Sequence, residues 1–291
     1  MTAAVYLNGA TLMTTPTQRV LEIARDTGYA GIEARAERLL KDAAEVRATA
    51  EVARPGDVLT LNGVALTVRA DGRMDRQRLE TDLGPRFRIC GEVGSPYLLA
   101  IPPRAPGLAT RRALPGTRDA LRLARDRADA VRIRIAFEFL GFGDCPINTP
   151  AIAAETVDGI DAIDLVLDSC HWHASGSQPL ESYPVDRIVL VHLNDAPNKP
   201  PREIEDADRV LPGEGVIRLQ DLLRDLGARG FAGPWSLETF NPKYWTEAPE
   251  TRDKTLAEVT TADLERYRER RRKEGAAEAT CNRELGFLRA V

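Results

Sequence analysis

The 291-residue chain is 43% apolar and 29% charged with a formal net charge of −4, enough to bury a large α/β core and without the basic excess that draws a protein to nucleic acid or anionic membrane. Cys90, Cys145, Cys170 and Cys281 form no CxxC pair and no framework spacing, which fits reduced thiols rather than disulfides. No run reaches the ~20 apolar residues of a membrane span, and the N-terminus lacks the layout of a signal peptide, so a cytoplasmic protein with small-molecule partners is expected.

Residues 4–13 read as a first strand, a helix opens at Thr15-Pro16 and runs to about Thr27, and GYAGIEARAE supplies a second strand with Glu33 and Arg35 near its end. A helix over roughly 38–53 precedes Pro55-Gly56 and a third strand over 57–66, ending near Asn62-Gly63. Residues 76–93 read as a helix, 95–103 as strand four and 117–130, after Pro115-Gly116, as a helix with apolar residues at three- and four-residue spacing. VRIRIAFEFLG (131–141) is strand five, and Asn148-Thr149-Pro150 starts the next helix. Strands six (162–168), seven (187–192) and eight (234–239) follow, with an amphipathic helix over 219–231 between the last two. Eight such alternations predict an α/β fold, a (β/α)8 TIM barrel over residues 1–258.

Each of the last four strands delivers one polar side chain where its apolar run ends: Glu138, Asp168, His192 and Glu238. The carboxyl-terminal rim is where such a barrel keeps its ligand-binding groups. Any one of these carboxylates can be structural, bonded to loop amides, but three carboxylates and an imidazole on successive strands make a site for one divalent ion, Mn²⁺, Co²⁺, Mg²⁺ or Zn²⁺. The loop over 196–215, rich in Pro, Asp and Glu, is expected to fold over the barrel mouth. PGEG (212–215) reads as turn chemistry and not as a phosphate cradle.

The segments FEFLGFGDCPINT, LVLDSCHWHASG, VHLNDAP, DADRVLPGEGVI and SLETFNPKYW resemble the xylose-isomerase-like barrels, a family of sugar isomerases and epimerases that also holds AP endonucleases. Within it they are most similar to the inosose (2-keto-myo-inositol) isomerases, over about residues 4–246. The resemblance implies a metal-dependent isomerase of a polyol ketone in inositol catabolism and carbohydrate metabolism, with a ketose 3-epimerase as the alternative. Its metal ligands are Glu138, Asp168, His192 and Glu238, and Glu138 and Glu238 are its acid/base pair. It implies that His171, three residues after Asp168, touches substrate hydroxyls or, as in the AP endonucleases, a second metal, and that Arg209 contacts substrate oxygens, although an arginine in an acidic loop also serves as an ion pair. Asn62 and Trp245 are further candidates for substrate contact. Trp172, Trp245 and Tyr244 suit either ring stacking or loop packing, Cys145 and Cys170 small apolar filler, and His173 an exposed loop position. With three histidines in all, a histidine-rich trinuclear nuclease centre cannot be built, and the acidic charge argues against duplex binding. A non-catalytic sugar-binding barrel would not need both glutamates. A homodimer is the assembly considered.

Composition shifts after the barrel. Residues 260–291 contain a basic and acidic run, RYRERRRKE, then Gly275 and a second helical stretch. Residues 259–291 therefore read as a helical C-terminal extension. The string DLERYRERRRKEGAAEATCNRELGFLRAV resembles part of a tyrosine recombinase core-binding domain, which implies a fused fragment joined near 250–260 and no recombinase activity.

Overall fold

The computed structural model describes residues 4–246. Eight parallel strands close into a barrel in chain order, β1 through β8, with β8 pairing back onto β1. The elements run β1 (Val5–Asn8), α1 (Thr17–Asp26), β2 (Gly31–Arg35), α2 (Ala36–Leu39), α3 (Ala43–Val52), β3 (Val58–Ala65), α4 (Arg76–Val93), β4 (Tyr97–Ile101) and α5 (Thr110–Asp129). They continue β5 (Arg134–Glu138), α6 (Pro150–Val157), β6 (Ile163–Asp168), α7 (Ser169–Ala174), β7 (Ile188–Leu193), α8 (Leu219–Ala228) and β8 (Trp235–Leu237). This is the (β/α)8 architecture that the strand spacing predicts. The 258/259 boundary, the C-terminal extension and Cys281 lie outside the described residues.

Strand periodicity decides what faces where. Successive side chains alternate between the two faces of a strand, so one set fills the barrel and the other meets the helices. On the β4–β7 side Leu99, Ala136, Val166 and Leu190 close into an apolar plug. Two residues beyond the last three, on the same face, come Glu138, Asp168 and His192. The opposite set, Ile135, Phe137, Leu165, Leu167 and Val191, joins the larger core beneath the helices. With both faces covered, β2 and β6 are buried at every position, as parallel strands between layers must be.

Among the boundaries that differ from the sequence reading, three have a clear local reason. The helix expected over 38–53 is two, because Asp42 stops the first and caps the second, its carboxylate accepting from the N–H groups of Ala44 (2.8 Å) and Glu45 (3.3 Å). α5 starts at Thr110 and passes through Pro115; in the second turn a proline removes one hydrogen bond without ending the helix. β8 stops at Leu237, so Glu238 lies one residue past it, held in register by its N–H on the Leu193 carbonyl (3.1 Å). No helix among the described residues is long and apolar enough to cross a membrane.

Candidate metal centre at the barrel mouth

Glu138, Asp168, His192 and Glu238 meet at the carboxyl-terminal end of the barrel, all buried, and one ligand-type atom from each lies within 4.8 Å of all the others. Register brings them there: Asp168 on β6 is directly beside His192 on β7, and His192 is beside Ser236, two residues before Glu238. The imidazole Nδ1 stands 2.9 Å from Glu138 Oε1, 3.2 Å from Glu238 Oε2 and 3.9 Å from Asp168 Oδ2. Asp168 has a second task. Its Oδ1 accepts from the His171 N–H (2.7 Å) and caps α7, which sets His171 beside the cluster.

Arg209 reaches the same carboxylates from the loop after β7. Its Nη1 donates to Asp168 Oδ2 and Glu238 Oε2, both at 2.8 Å, and its side chain is only 1% exposed. Its Nη2 lies 3.1 Å from His171 Nε2. Asp195 arranges this loop. Its backbone pairs with Val210 in both directions (2.8 Å each), while its buried carboxylate accepts from the N–H groups of Ile217 (2.8 Å) and Gly213 (3.0 Å). Gly213 turns with φ +89°, and a Cβ on Gly215 would collide with the Ala196 carbonyl. PGEG is thus the turn by which the loop folds onto Asp195.

Across the barrel, Arg35 Nη1 contacts Glu238 Oε1 at 3.4 Å, and the guanidiniums of Arg35 and Arg209 both lie over the Phe240 ring, 4.7 and 5.3 Å from its centroid. Asn8 Nδ2 donates to Glu33 Oε1 and to Glu238 Oε1, both at 2.9 Å, and Asn62 Nδ2 to Glu238 Oε1 at 3.2 Å. Glu33, fully buried, faces the Nε2 side of His192 at 3.1 Å.

The two catalytic candidates feel opposite fields. Burial, reinforced by Glu238 and Asp168 against the pull of His192, pushes the Glu138 carboxyl up to about 7. Burial acts the same way on Glu238, but His192, Arg209 and Arg35 outweigh it and hold Glu238 well below the usual carboxylate range. Burial pushes His171 down to about 3, with Arg209 adding to the effect, so its imidazole is neutral near pH 7. His192 goes the other way: its acidic neighbours Glu238, Glu33 and Glu138 overcome burial and raise it well above the ordinary histidine value.

Of the residues singled out in the sequence, the structure brings together Glu138, Asp168, His192, Glu238, His171, Arg209 and Asn62. Trp245 is placed differently, its indole N–H on the Ala10 carbonyl at 3.0 Å in the loop after β1. The Trp172 N–H donates to the Gln178 carbonyl (2.8 Å), and the Tyr244 hydroxyl joins Glu214 (2.9 Å). His173 is half-buried on α7 instead of exposed in a loop, because the Asp168 cap starts a helix at once. Cys145 and Cys170 are buried free thiols, raised by burial, in keeping with apolar filler. Sequence reasoning gave no role to Asn8, Glu33, Arg35 or Asn194, whose Nδ2 donates to Asp168 Oδ2 at 2.7 Å. For Glu33 and Arg35 the sequence offered only two charged residues two positions apart near the end of a strand; that the strand is buried throughout came with the structure.

The donor set fits a divalent ion. Three buried carboxylates around one imidazole nitrogen repel each other strongly at low dielectric, and a hard or borderline cation of charge two relieves that repulsion. The comparisons with known proteins agree with this fold. An inosose isomerase of Halalkalibacterium halodurans is 35% identical over 139 residues, 46% of this chain and 49% of that protein, so this alignment spans about half the relative's length. An inosose isomerase of Bacillus velezensis is 29% identical over 281 residues, 90% of this chain and 97% of that protein. A crystal structure of IOLI protein with a binding zinc atom superposes with a TM-score of 0.77 at 29% identity, covering 90% of this chain and 97% of that one. Residues 21–265 match the family described as Xylose isomerase-like TIM barrel, and the chain belongs to that family.

Proposed function

We propose that this chain is a divalent-metal-dependent isomerase that moves a ketone between adjacent carbons of a polyol, with 2-keto-myo-inositol the favoured substrate and Glu138 and Glu238 the acid/base pair. The observation that carries the reading is the pairing of these two glutamates, oppositely biased, within one buried metal-type cluster. Inosose isomerases among the relatives favour the substrate.

Glu138, Asp168, His192 and Glu238 would hold the ion, which supplies Lewis acidity at the substrate carbonyl and makes the neighbouring C–H more acidic. Glu238, kept ionised by Arg209, Arg35 and His192, is the group ready to accept that proton. Glu138, the one of the two that binds a proton more readily, is the group placed to deliver one to the adjacent carbon. Two carboxylates whose surroundings push them apart divide acid and base roles in this way. Return of the proton to the opposite face of the same carbon would give epimerisation instead.

Two buried donors support a polyol substrate. His171 Nδ1 and Arg209 Nε have no hydrogen-bond partner among the described residues. Since His171 is neutral and its Nε2 accepts from Arg209, Nδ1 carries the proton and can donate to a hydroxyl oxygen. The apposition of Asn62 and Glu238 gives the amide a similar use.

The test is product analysis by proton NMR after incubating the metal-loaded protein with 2-keto-myo-inositol and, separately, with fructose, tagatose and psicose. A new inosose with its ketone on the neighbouring carbon is expected. Conversion of a ketose to its C3 epimer, with 2-keto-myo-inositol untouched, would replace the isomerase reading by the epimerase one.

A further inference from the structure

We propose that Glu33 is the positioning residue that fixes the ring of His192, holding the proton on Nε2 so that Nδ1 presents its lone pair to the carboxylate cluster. The inference rests on the metal-centre reading above and assigns a function to a carboxylate outside the four-donor group.

A neutral imidazole has one donor and one acceptor nitrogen, and neighbours decide which is which. The two nitrogens of His192 point to opposite sides of the ring and meet different surroundings. Nδ1 faces Glu138, Glu238 and Asp168, whereas Nε2 faces Glu33 alone among these acids, at 3.1 Å from Oε1 and 3.2 Å from Oε2. An ionised carboxylate only accepts, so the nitrogen beside it must be the N–H. Because the ring cannot offer both nitrogens to one ion, Glu33 stands outside the coordination set and behind its histidine. That is the role an orienting carboxylate plays for a metal-binding imidazole.

Glu33 is itself immobilised. The Thr60 hydroxyl donates to Oε2 at 2.6 Å and Asn8 Nδ2 to Oε1 at 2.9 Å, and the whole residue is inaccessible to solvent. Asn8 also donates to Glu238, so β1, β2 and β3 brace both the histidine and one of its acidic partners. A glutamate that merely filled space would need neither these donors nor this distance from Nε2.

The decisive measurement is ¹⁵N-histidine NMR of the full-length zinc-loaded protein, where three histidines keep assignment simple. The expected spectrum has His192 protonated at Nε2 and metal-bound through Nδ1; the reversed pattern overturns the proposal. Zinc affinity, read by competition with a chromophoric chelator, should weaken by about 10- to 100-fold in Glu33→Ala and by less in Glu33→Gln, whose amide oxygen can still accept from Nε2. The visible spectrum of the cobalt-loaded protein should shift in Glu33→Ala and largely recover in Glu33→Gln. Affinities of both variants within twofold of the parent, with unchanged cobalt spectra, would also overturn it. If Glu33→Ala does not fold, the NMR of the unsubstituted protein decides alone. Failure of the unsubstituted protein to bind metal would bring down the metal centre and this proposal together, whereas binding with Nδ1 protonated brings down this proposal only.

Discussion

Glu138 and His192 face each other at 2.9 Å, and both hold protons that a metal ion must displace. Glu138 is raised to about 7 and His192 well above its ordinary value, so lowering the pH protonates the very atoms that would coordinate. The sign follows directly: metal affinity should fall as pH drops through about 7, and metal uptake near neutrality should release protons. Chelator competition between about pH 6 and pH 8 should show affinity changing by roughly tenfold or more per pH unit. A flat profile would mean that neither group coordinates. At this scale the clustering of Glu138, Asp168, His192 and Glu238 was legible because each ends an apolar strand run, which sequence displays. Their supports were not. That Glu33 lies on the Nε2 side of His192, and Asn8 between Glu33 and Glu238, depends on how β1 and β2 sit against β7 and β8 across the barrel. Nothing local to Asn8-Gly9 distinguishes such a residue from an ordinary turn.

Among the elements, the loop between β7 and α8 is the one that carries Arg209 onto Asp168 and Glu238, and the proposed function gives it the substrate. Its placement hangs on the buried Asp195, which gathers the N–H groups of Gly213 and Ile217 and pairs with Val210. Replacing Asp195 by Ala would leave buried donors without an acceptor, at a cost of about 1–3 kcal/mol. Since Val210 adjoins Arg209, denaturant unfolding should show that loss together with a raised KM for the substrate. An unchanged KM at reduced stability would separate the loop's fold from substrate binding. The sequence showed a long acidic loop and a Pro-Gly turn, but not that its arginine is buried; burial of a guanidinium became visible only with its partners Asp168, Glu238 and Asp206 in place. Similarly, Pro115 looked like a helix boundary from its neighbours, while packing of Ala113, Gly116 and Thr117 carries α5 through it.

For the whole molecule, the barrel gathers groups far apart in sequence at one mouth: Asn8 and Glu238, 2.9 Å apart, come from the first and last strand regions and meet because β8 closes onto β1. Closure was readable from eight alternations of apolar runs and amphipathic segments, since a parallel sheet buried on both faces leaves strong hydrophobic runs. The central claim is that this closure assembles a metal-dependent proton-transfer centre from Glu138 and Glu238. The most direct measurement is deuterium incorporation into 2-keto-myo-inositol in D₂O, followed by NMR for the parent, Glu138→Gln and Glu238→Gln, with metal content determined for each. Exchange that needs added metal in the parent, and that falls by at least about a hundredfold in each variant, is the predicted result. Undiminished exchange in either metal-loaded variant, or none in a folded and metal-loaded parent, would contradict it.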